Sequence, residues 1–491
     1  MSSVVLAGTA GHLLRVEAEV GPGPSGLHLL GMPEASEAPL RDRVRAAILN
    51  SRLPWPEERV VVKLFPAHIP KPGAGRDLAV ALVILAAGGV VPPEDLASAV
   101  VLGELGLDGA IRPVSDVMTL TLAAARAGMR TLIVPAENAE EAQRVSGVVV
   151  IPASRLDELV ERLNGGCLGK RPPAGGHSTA TPPPLDLADV TGNHAARHAL
   201  EVCAAGGHHL FLLKSPQGAA AMLVEGLPGI LPPLDAEAAR EVAEIRSLAG
   251  TPSGGSGRPP LSAPHHTITP AAMFGGGSDT TRPGAVSLAH QGVLFLDDAP
   301  EFPGRILHGL RLPLGKGMVM LAGSDHVVRM PARFMLAMAA HPCPCRPEQC
   351  MCSERVKRAY LSRLAVLLDL VEVRAHVHGA TPQEGPGEST ATVAARVQAA
   401  RERAAARLAG TPWRTNAEVP AFELHVRFKA ERGALAPLWA ALDSGLLIPT
   451  VFARLLRVAW TLADLRGADR PARQDAEGAL ALWAPTPHRT P

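Results

Sequence analysis

The chain has 491 residues, more than one ordinary domain holds, so two or three domains are expected. Hydrophobic residues make up 47% but aromatic residues only 3%, so the core must rest on Leu, Val, Ala and Ile. A formal net charge of +1 argues against a broad electrostatic surface for nucleic acid, while leaving room for a local basic patch.

In chain order, the opening "MSSVVLAGTAGHLLRVEAEV" lacks a cationic leader and acquires charge early, which reads against a signal peptide. No apolar run reaches the ~20 residues of a membrane span, so no membrane partner is expected. Residues 1–164 read as a first domain. Within it, "LRDRVRAAI" sets Arg41, Arg43 and Arg45 on one helix. They form either a basic face for nucleic acid or, by default, a solvated face balanced by acidic neighbours. Residues 165–184, rich in Gly, Pro, Ser and Thr, have almost nothing to bury and read as a linker. Residues 185–375 mix short apolar strands, helices and Gly/Pro-rich loops, an α/β pattern. From 376 to 491, "TATVAARVQAARERAAARLAG" and "IPTVFARLLRVAWTLADLRG" are apolar at helical spacing, so the end of the chain is helical.

The stretch "HHLFLLKSPQGAAAML", residues 208–223, runs from an apolar strand through a short loop into a helix. A phosphate-binding loop belongs at such a place. Its glycines let backbone amides curl around phosphate, its lysine reaches the β/γ-phosphates, and its Ser/Thr hydroxyl ligates Mg²⁺. Aligned on the downstream "MLVEGLPGILPPL", the first glycine position holds Lys214 and the second holds Ala219. Ala220 stands at the lysine position and Ala221 at the hydroxyl position. Where the fold requires a left-handed residue at 219, alanine costs ~1–2 kcal/mol. A charge-assisted hydrogen bond is worth roughly 1.5–3 kcal/mol, so loss of the lysine alone weakens phosphate binding by one to two orders of magnitude. Lys214, Ser215, Gln217 and Gly218 remain as a degenerate loop, in which Lys214 could supply a displaced cation and Gly218 a backbone contact. The alternative is a plain strand–turn–helix that holds the core together.

Three further features carry chemistry. "GVLFLDDAPEF", residues 292–302, has four apolar strand residues ending in Asp297 and Asp298. That is either a Walker B-like acid pair or an acidic strand end capping a turn. "CPCRPEQCMC" places Cys343, Cys345, Cys350 and Cys352 as C-x-C-x₄-C-x-C. Four thiolates in ten residues can close a structural Zn²⁺ site, and such spacing suits a reducing cytoplasm better than a disulfide framework. The alternatives are free thiols or a redox-labile pair. His265 and His266 read as a loop-ordering or partner contact, with a metal pair as the alternative, and His208 and His209 as a turn before the strand.

The segments "GMPEASEAPLRDRVRAAILNS", "PAHIPKPGAGRDLAVAL", "GELGLDGAIRPV", "DVTGNHAARHALEVCAAGGHH", "GLPGILPPL", "APHHTITPAAMFGGG", "RPGAVSLAHQGVLFLDD" and "HPCPC" together resemble the ComM/YifB family of magnesium-chelatase-like AAA+ proteins. The resemblance runs almost from end to end and is weakest in the helical tail. It implies an α/β chain in three parts. These are an N-terminal α+β domain similar to the Lon-protease domain (ribosomal-protein-S5-like), an AAA+ α/β core and a helical C-terminal lid. It implies ATP and Mg²⁺ as cofactors, a hexameric ring, and ATP-driven branch migration of DNA. By position, Asp297 matches the Walker B aspartate, Asp298 the catalytic glutamate and His341 the sensor asparagine.

Departures from the family accumulate at the nucleotide. All three functions of the phosphate loop are missing. Asp298 is one methylene shorter than glutamate. The family's "GPLLDRID" appears as "AVLLDLVE", so Leu370 replaces an arginine, and Thr450 falls where the lid arginine is expected. The expectation is a pseudo-ATPase, a non-catalytic assembly or regulatory component of a homo- or hetero-oligomeric ring. An intact relative and DNA are its candidate partners. The rival expectation is an active DNA motor with a non-standard loop. Lon-type peptidase chemistry is not expected. Ala74 and Gly75 stand about where its serine would be and Met118 where its lysine would be, while Ser115 and Lys71 lie outside those positions.

Overall fold

The computed structural model describes the chain apart from residues 8–9, 33, 67–74, 115, 166–184, 216–217, 251–256, 277–281, 323–326, 346–349, 380–386 and 484–491. The stretch read as a linker therefore lies almost wholly outside the described residues. No helix among them is long and apolar enough to cross a membrane.

The first part of the chain forms β1 (Ser2–Ala7), β2 (Ala10–Gly21), β3 (Gly26–Leu30), α1 (Glu34–Asn50), β4 (Arg59–Phe65), α2 (Asp77–Ala87), β5 (Ala99–Val101), α3 (Val117–Arg126), β6 (Thr131–Pro135), β7 (Val149–Ala153) and α4 (Leu156–Asn164). The strands make one seven-stranded mixed sheet in the order β3-β4-β2-β1-β5-β6-β7. β4 shows why: Val60, Val62 and Leu64 are buried while Arg59, Lys63 and Phe65 face out, the period of two that a half-covered strand requires. α2, "DLAVALVILAA", is buried from Asp77 to Leu85 and fills the core of this sheet.

The second part forms α5 (His194–Gly206), β8 (Leu210–Lys214), α6 (Ala220–Ile230), α7 (Ala236–Leu248), β9 (Leu261–Ser262), β10 (Gly292–Leu296), β11 (Phe334–Ala340) and β12 (Val373–Val377). The strand order is β9-β10-β11-β8-β12, and every neighbouring pair is parallel. Parallel sheets are covered on both faces, and β8 obeys that rule. Leu210 and Leu212 enter one apolar cluster with α5 and α6, while Phe211 and Leu213 enter another with Leu294, Leu296 and Phe302. The register pairs Leu213 with Ala340 and Leu296 with Met338, so β8, β11 and β10 end side by side. Ligands of open α/β sheets sit beyond such carboxyl ends.

The third part is helical, with α8 (Thr390–Leu408), α9 (Pro449–Arg466) and α10 (Arg473–Trp483). Val397, Leu455, Val458, Ala459, Ala476 and Ala479 join the same apolar cluster as Leu210 and Leu212. A buried polar chain adds to that contact. The ring Nε2 of His208, in the turn before β8, lies 2.8 Å from Thr461 Oγ1 on α9. The Nδ2 group of Asn416 donates to Thr461 Oγ1 at 3.1 Å and to Asp464 Oδ2 at 2.8 Å. Arg407 of α8 grips Asp464 with two nitrogens, at 2.6 and 2.7 Å, and its guanidinium lies 4.3 Å from the Trp460 ring. By contrast α3 packs on α7 with a peripheral ion pair, Arg126–Glu244, at 3.3 Å.

Candidate functional site

The candidate site is the carboxyl edge of the parallel sheet, where three strands deliver polar side chains. β8 ends in Lys214, β10 is followed by Asp297 and Asp298, and β11 is followed by His341. Lys214 does not point into an open loop. Its Nζ lies 2.5 Å from Asp297 Oδ1 and 3.1 Å from Asp298 Oδ1. Its side chain is only 10% exposed. A buried ammonium needs opposite charge, and the two carboxylates supply it. Asp297 Oδ1 also accepts the backbone N–H of Asp298 at 3.0 Å. Asp298 adopts a left-handed conformation, φ 49°, which aspartate tolerates better than most residues. Its Oδ1 lies 3.8 Å from His341 Nε2. Lys214, Asp297, Asp298 and His341 thus come together as one cluster.

The described residues that flank the loop after β8 bond within the protein. The backbone N–H of Ser215 donates to the Val377 carbonyl of β12 at 2.9 Å, and that of Gly218 donates to the Ser215 carbonyl at 2.9 Å. A working phosphate loop turns such amides toward phosphate; here both serve the protein. Gly218 is needed for this arrangement, because a β-carbon there would lie 2.9 Å from the Val377 carbonyl oxygen. Ala219 has φ −80° and ψ 43°, so no left-handed residue is required at the second glycine position and alanine carries no strain there. α6 begins at Ala220, which is fully buried, and Ala221 packs against the same core. Neither offers a polar atom beyond its backbone. Gln217 lies outside the described residues.

Among the described residues, magnesium with a nucleoside triphosphate finds no lysine or hydroxyl at the start of the helix, the acid pair already holds a cation, and the amides at 215 and 218 are committed. The other nucleotide-facing positions agree. Leu370 is half-buried in the turn after Leu367, and Thr450 is exposed in the first turn of α9.

The cysteines form the second cluster. The four sulfur atoms of Cys343, Cys345, Cys350 and Cys352 all lie within 4.8 Å of one another. Cys343 and Cys350 are 3.0 Å apart and Cys345 and Cys350 3.3 Å. A tetrahedral Zn²⁺ with bonds near 2.3 Å needs sulfurs roughly 3.8 Å apart. The donor set fits such an ion after small movements.

The remaining sequence candidates resolve as follows. Arg43 spends its charge on the fully buried Asp77, at 2.8 and 3.2 Å. Arg41 pairs with Asp42, and Arg45 lies 6.0 Å over Trp55. His265 and His266 lie with ring centres 4.0 Å apart, and His265 bonds Thr267 at 2.9 Å, a loop-ordering contact. His209 Nδ1 accepts from the Leu336 N–H at 3.1 Å and its own N–H donates to Glu372, so it ties strands together. Met118 is buried in the first domain's core, and Gly75 accepts the Gly103 N–H at 2.8 Å. Lys71, Ala74 and Ser115 lie outside the described residues. Sequence reasoning missed the reach of Lys214 to the acid pair. The one signal was a lysine ending a strand otherwise wholly apolar.

Comparison with known proteins accounts for this layout. Three family models cover most of the chain: "Subunit ChlI of Mg-chelatase" at residues 16–138, "Magnesium chelatase, subunit ChlI" at 186–384 and "Magnesium chelatase, subunit ChlI C-terminal" at 387–482. Rv2897c of Mycobacterium tuberculosis is 43% identical over 98% of this chain and 97% of its own length. YifB of Escherichia coli is 35% identical over 96% of this chain and 94% of its own. The competence protein ComM of Haemophilus influenzae is 33% identical over 94% of this chain and 92% of its own. Shorter stretches match Lon proteases, in line with a Lon-like first domain. With five parallel strands in this order beneath a helical lid, and with relatives matched along nearly their whole length, the chain belongs to the magnesium-chelatase-like AAA+ family of ComM and YifB.

Proposed function

We propose that this chain is a nucleotide-silent member of its family, a structural or regulatory subunit that keeps the AAA+ frame without hydrolysing ATP. The observation that carries the reading is the ion pair of Lys214 with Asp297 and Asp298, formed beside a helix that has Ala220 and Ala221 where the lysine and hydroxyl belong. Such a subunit acts by occupying a place in a ring, with copies of itself or an intact relative, and DNA is the substrate class that a ring of this family addresses. The test is a titration of the purified chain with a fluorescent ATP analogue, with and without Mg²⁺, followed by an assay of phosphate release. Absence of binding up to millimolar nucleotide is the expected result. Mg²⁺-dependent turnover that disappears in Asp297→Asn would return the chain to the motors.

The cysteine cluster supports a separate structural role. We infer that it holds Zn²⁺, with all four positions filled by protein sulfur and none open to substrate. Purified protein should carry about one zinc per chain by elemental analysis. Cys345→Ser should lower that content and loosen the loop that follows β11.

A further inference from the structure

We propose that Lys214 is the resident cation of the site, permanently occupying the place beside Asp297 and Asp298 that a divalent metal would need; the proposal rests on the nucleotide-silent reading and explains how the site stays closed. β8 and β10 are separated by one strand, roughly 10 Å between axes. An aspartate alone does not cross that distance, but a lysine on its four-carbon stem and an aspartate reaching back together do. The strand position is what makes the reach possible. Lys214 is the last residue of β8, in register with Val377 of β12, and β11 is the one strand between it and β10.

The electrostatics run in both directions. Two adjacent carboxylates repel each other unless a cation lies between them, and a nine-tenths buried ammonium is costly unless carboxylates surround it. At 2.5 and 3.1 Å the ammonium occupies Oδ1 of each carboxylate, one of the two oxygens that each acid could offer a metal. A metal must therefore displace a cation that is covalently tethered and never dilutes away. The committed backbone adds a second barrier, since the Ser215 and Gly218 amides bond to Val377 and Ser215. The missing lysine of the helix and the added lysine of the strand are thus not two unrelated losses. A positive charge has left the phosphate side of the site and another has settled on the metal side.

The experiment is Mn²⁺ binding to the full chain, read from the free-ion electron paramagnetic resonance signal, in wild type, Lys214→Gly and Lys214→Gly/Asp297→Asn. The wild type should bind no Mn²⁺ at this site up to millimolar ion. Lys214→Gly should bind at least about tenfold more tightly, and the double variant should lose that gain. Lys214→Gly binding Mn²⁺ no more tightly than the wild type, or a gain that survives in the double variant, overturns the proposal. Thermal unfolding gives a reading that survives poor folding. Lys214→Met should lower the midpoint, and adding Asp298→Asn should recover much of the loss. A double variant no more stable than Lys214→Met would mean that the lysine serves packing alone. ATP turnover by wild type would sink the silent reading itself, whereas Mn²⁺ binding without turnover sinks only the resident cation.

Discussion

His208 is fully buried, and burial pushes its imidazole down from an ordinary value near 6.5 to about 4. A base with a depressed folded pKa is held neutral by the fold. The unfolded chain therefore takes up the proton first as pH falls. Stability from this residue is complete above about pH 6.5 and drains away toward pH 4, by up to about 3 kcal/mol. Urea unfolding of wild type against His208→Gln should show that difference in slope across this window, and equal slopes would remove His208 from the account. Its neighbour Gly206 is constrained just as tightly. A β-carbon there would collide with the His208 ring and the Thr461 hydroxyl, so Gly206→Ala should cost several kcal/mol in the same assay. The sequence marks "AAGGHH" as a turn before a strand. It gives no sign that one of these histidines bonds a threonine 253 residues away, because that contact is made by the tertiary fold.

At the level of elements, the unit that decides function is β8, its loop and α6. Four apolar residues in each of β8 and β10 made both strands legible, as did the acid pair at the end of β10. Strand order was not legible, and it is what brings Lys214 within reach of Asp297. A five-strand order is set by crossover connections and by which faces the helices cover, and no local pattern encodes that. The conditional cost of alanine at 219 also turned on a backbone angle that only the structure supplies. The same unit resists simple repair. Restoring lysine at Ala220 and threonine at Ala221 together should leave ATP unbound at millimolar concentration by calorimetry. The tethered ammonium and the inward-turned amides stay in place in that variant. Micromolar binding would mean that those amides are released at little cost.

Across the whole molecule, the helical lid is held to the core by an apolar cluster and by the polar chain from His208 through Thr461 and Asn416 to Asp464 and Arg407. Asp464 has a side chain only 1% exposed, and Arg407 one only 15% exposed. Asp464→Ala leaves that guanidinium buried without its carboxylate and should cost about 3–5 kcal/mol in denaturant unfolding, with the lid the first part to gain hydrogen exchange. The first domain meets the core differently, where α3 packs on α7 and the pair Arg126–Glu244, 69% and 26% exposed, lies at the edge of that contact. Ionic strength reaches one joint and not the other. At molar salt the Debye length shrinks to about 3 Å, which mutes a wet ion pair and leaves a dry one almost untouched. Brine should therefore weaken the tie between α3 and α7 while the lid stays clamped, so salt becomes a dial that acts on one joint of the molecule and spares the other.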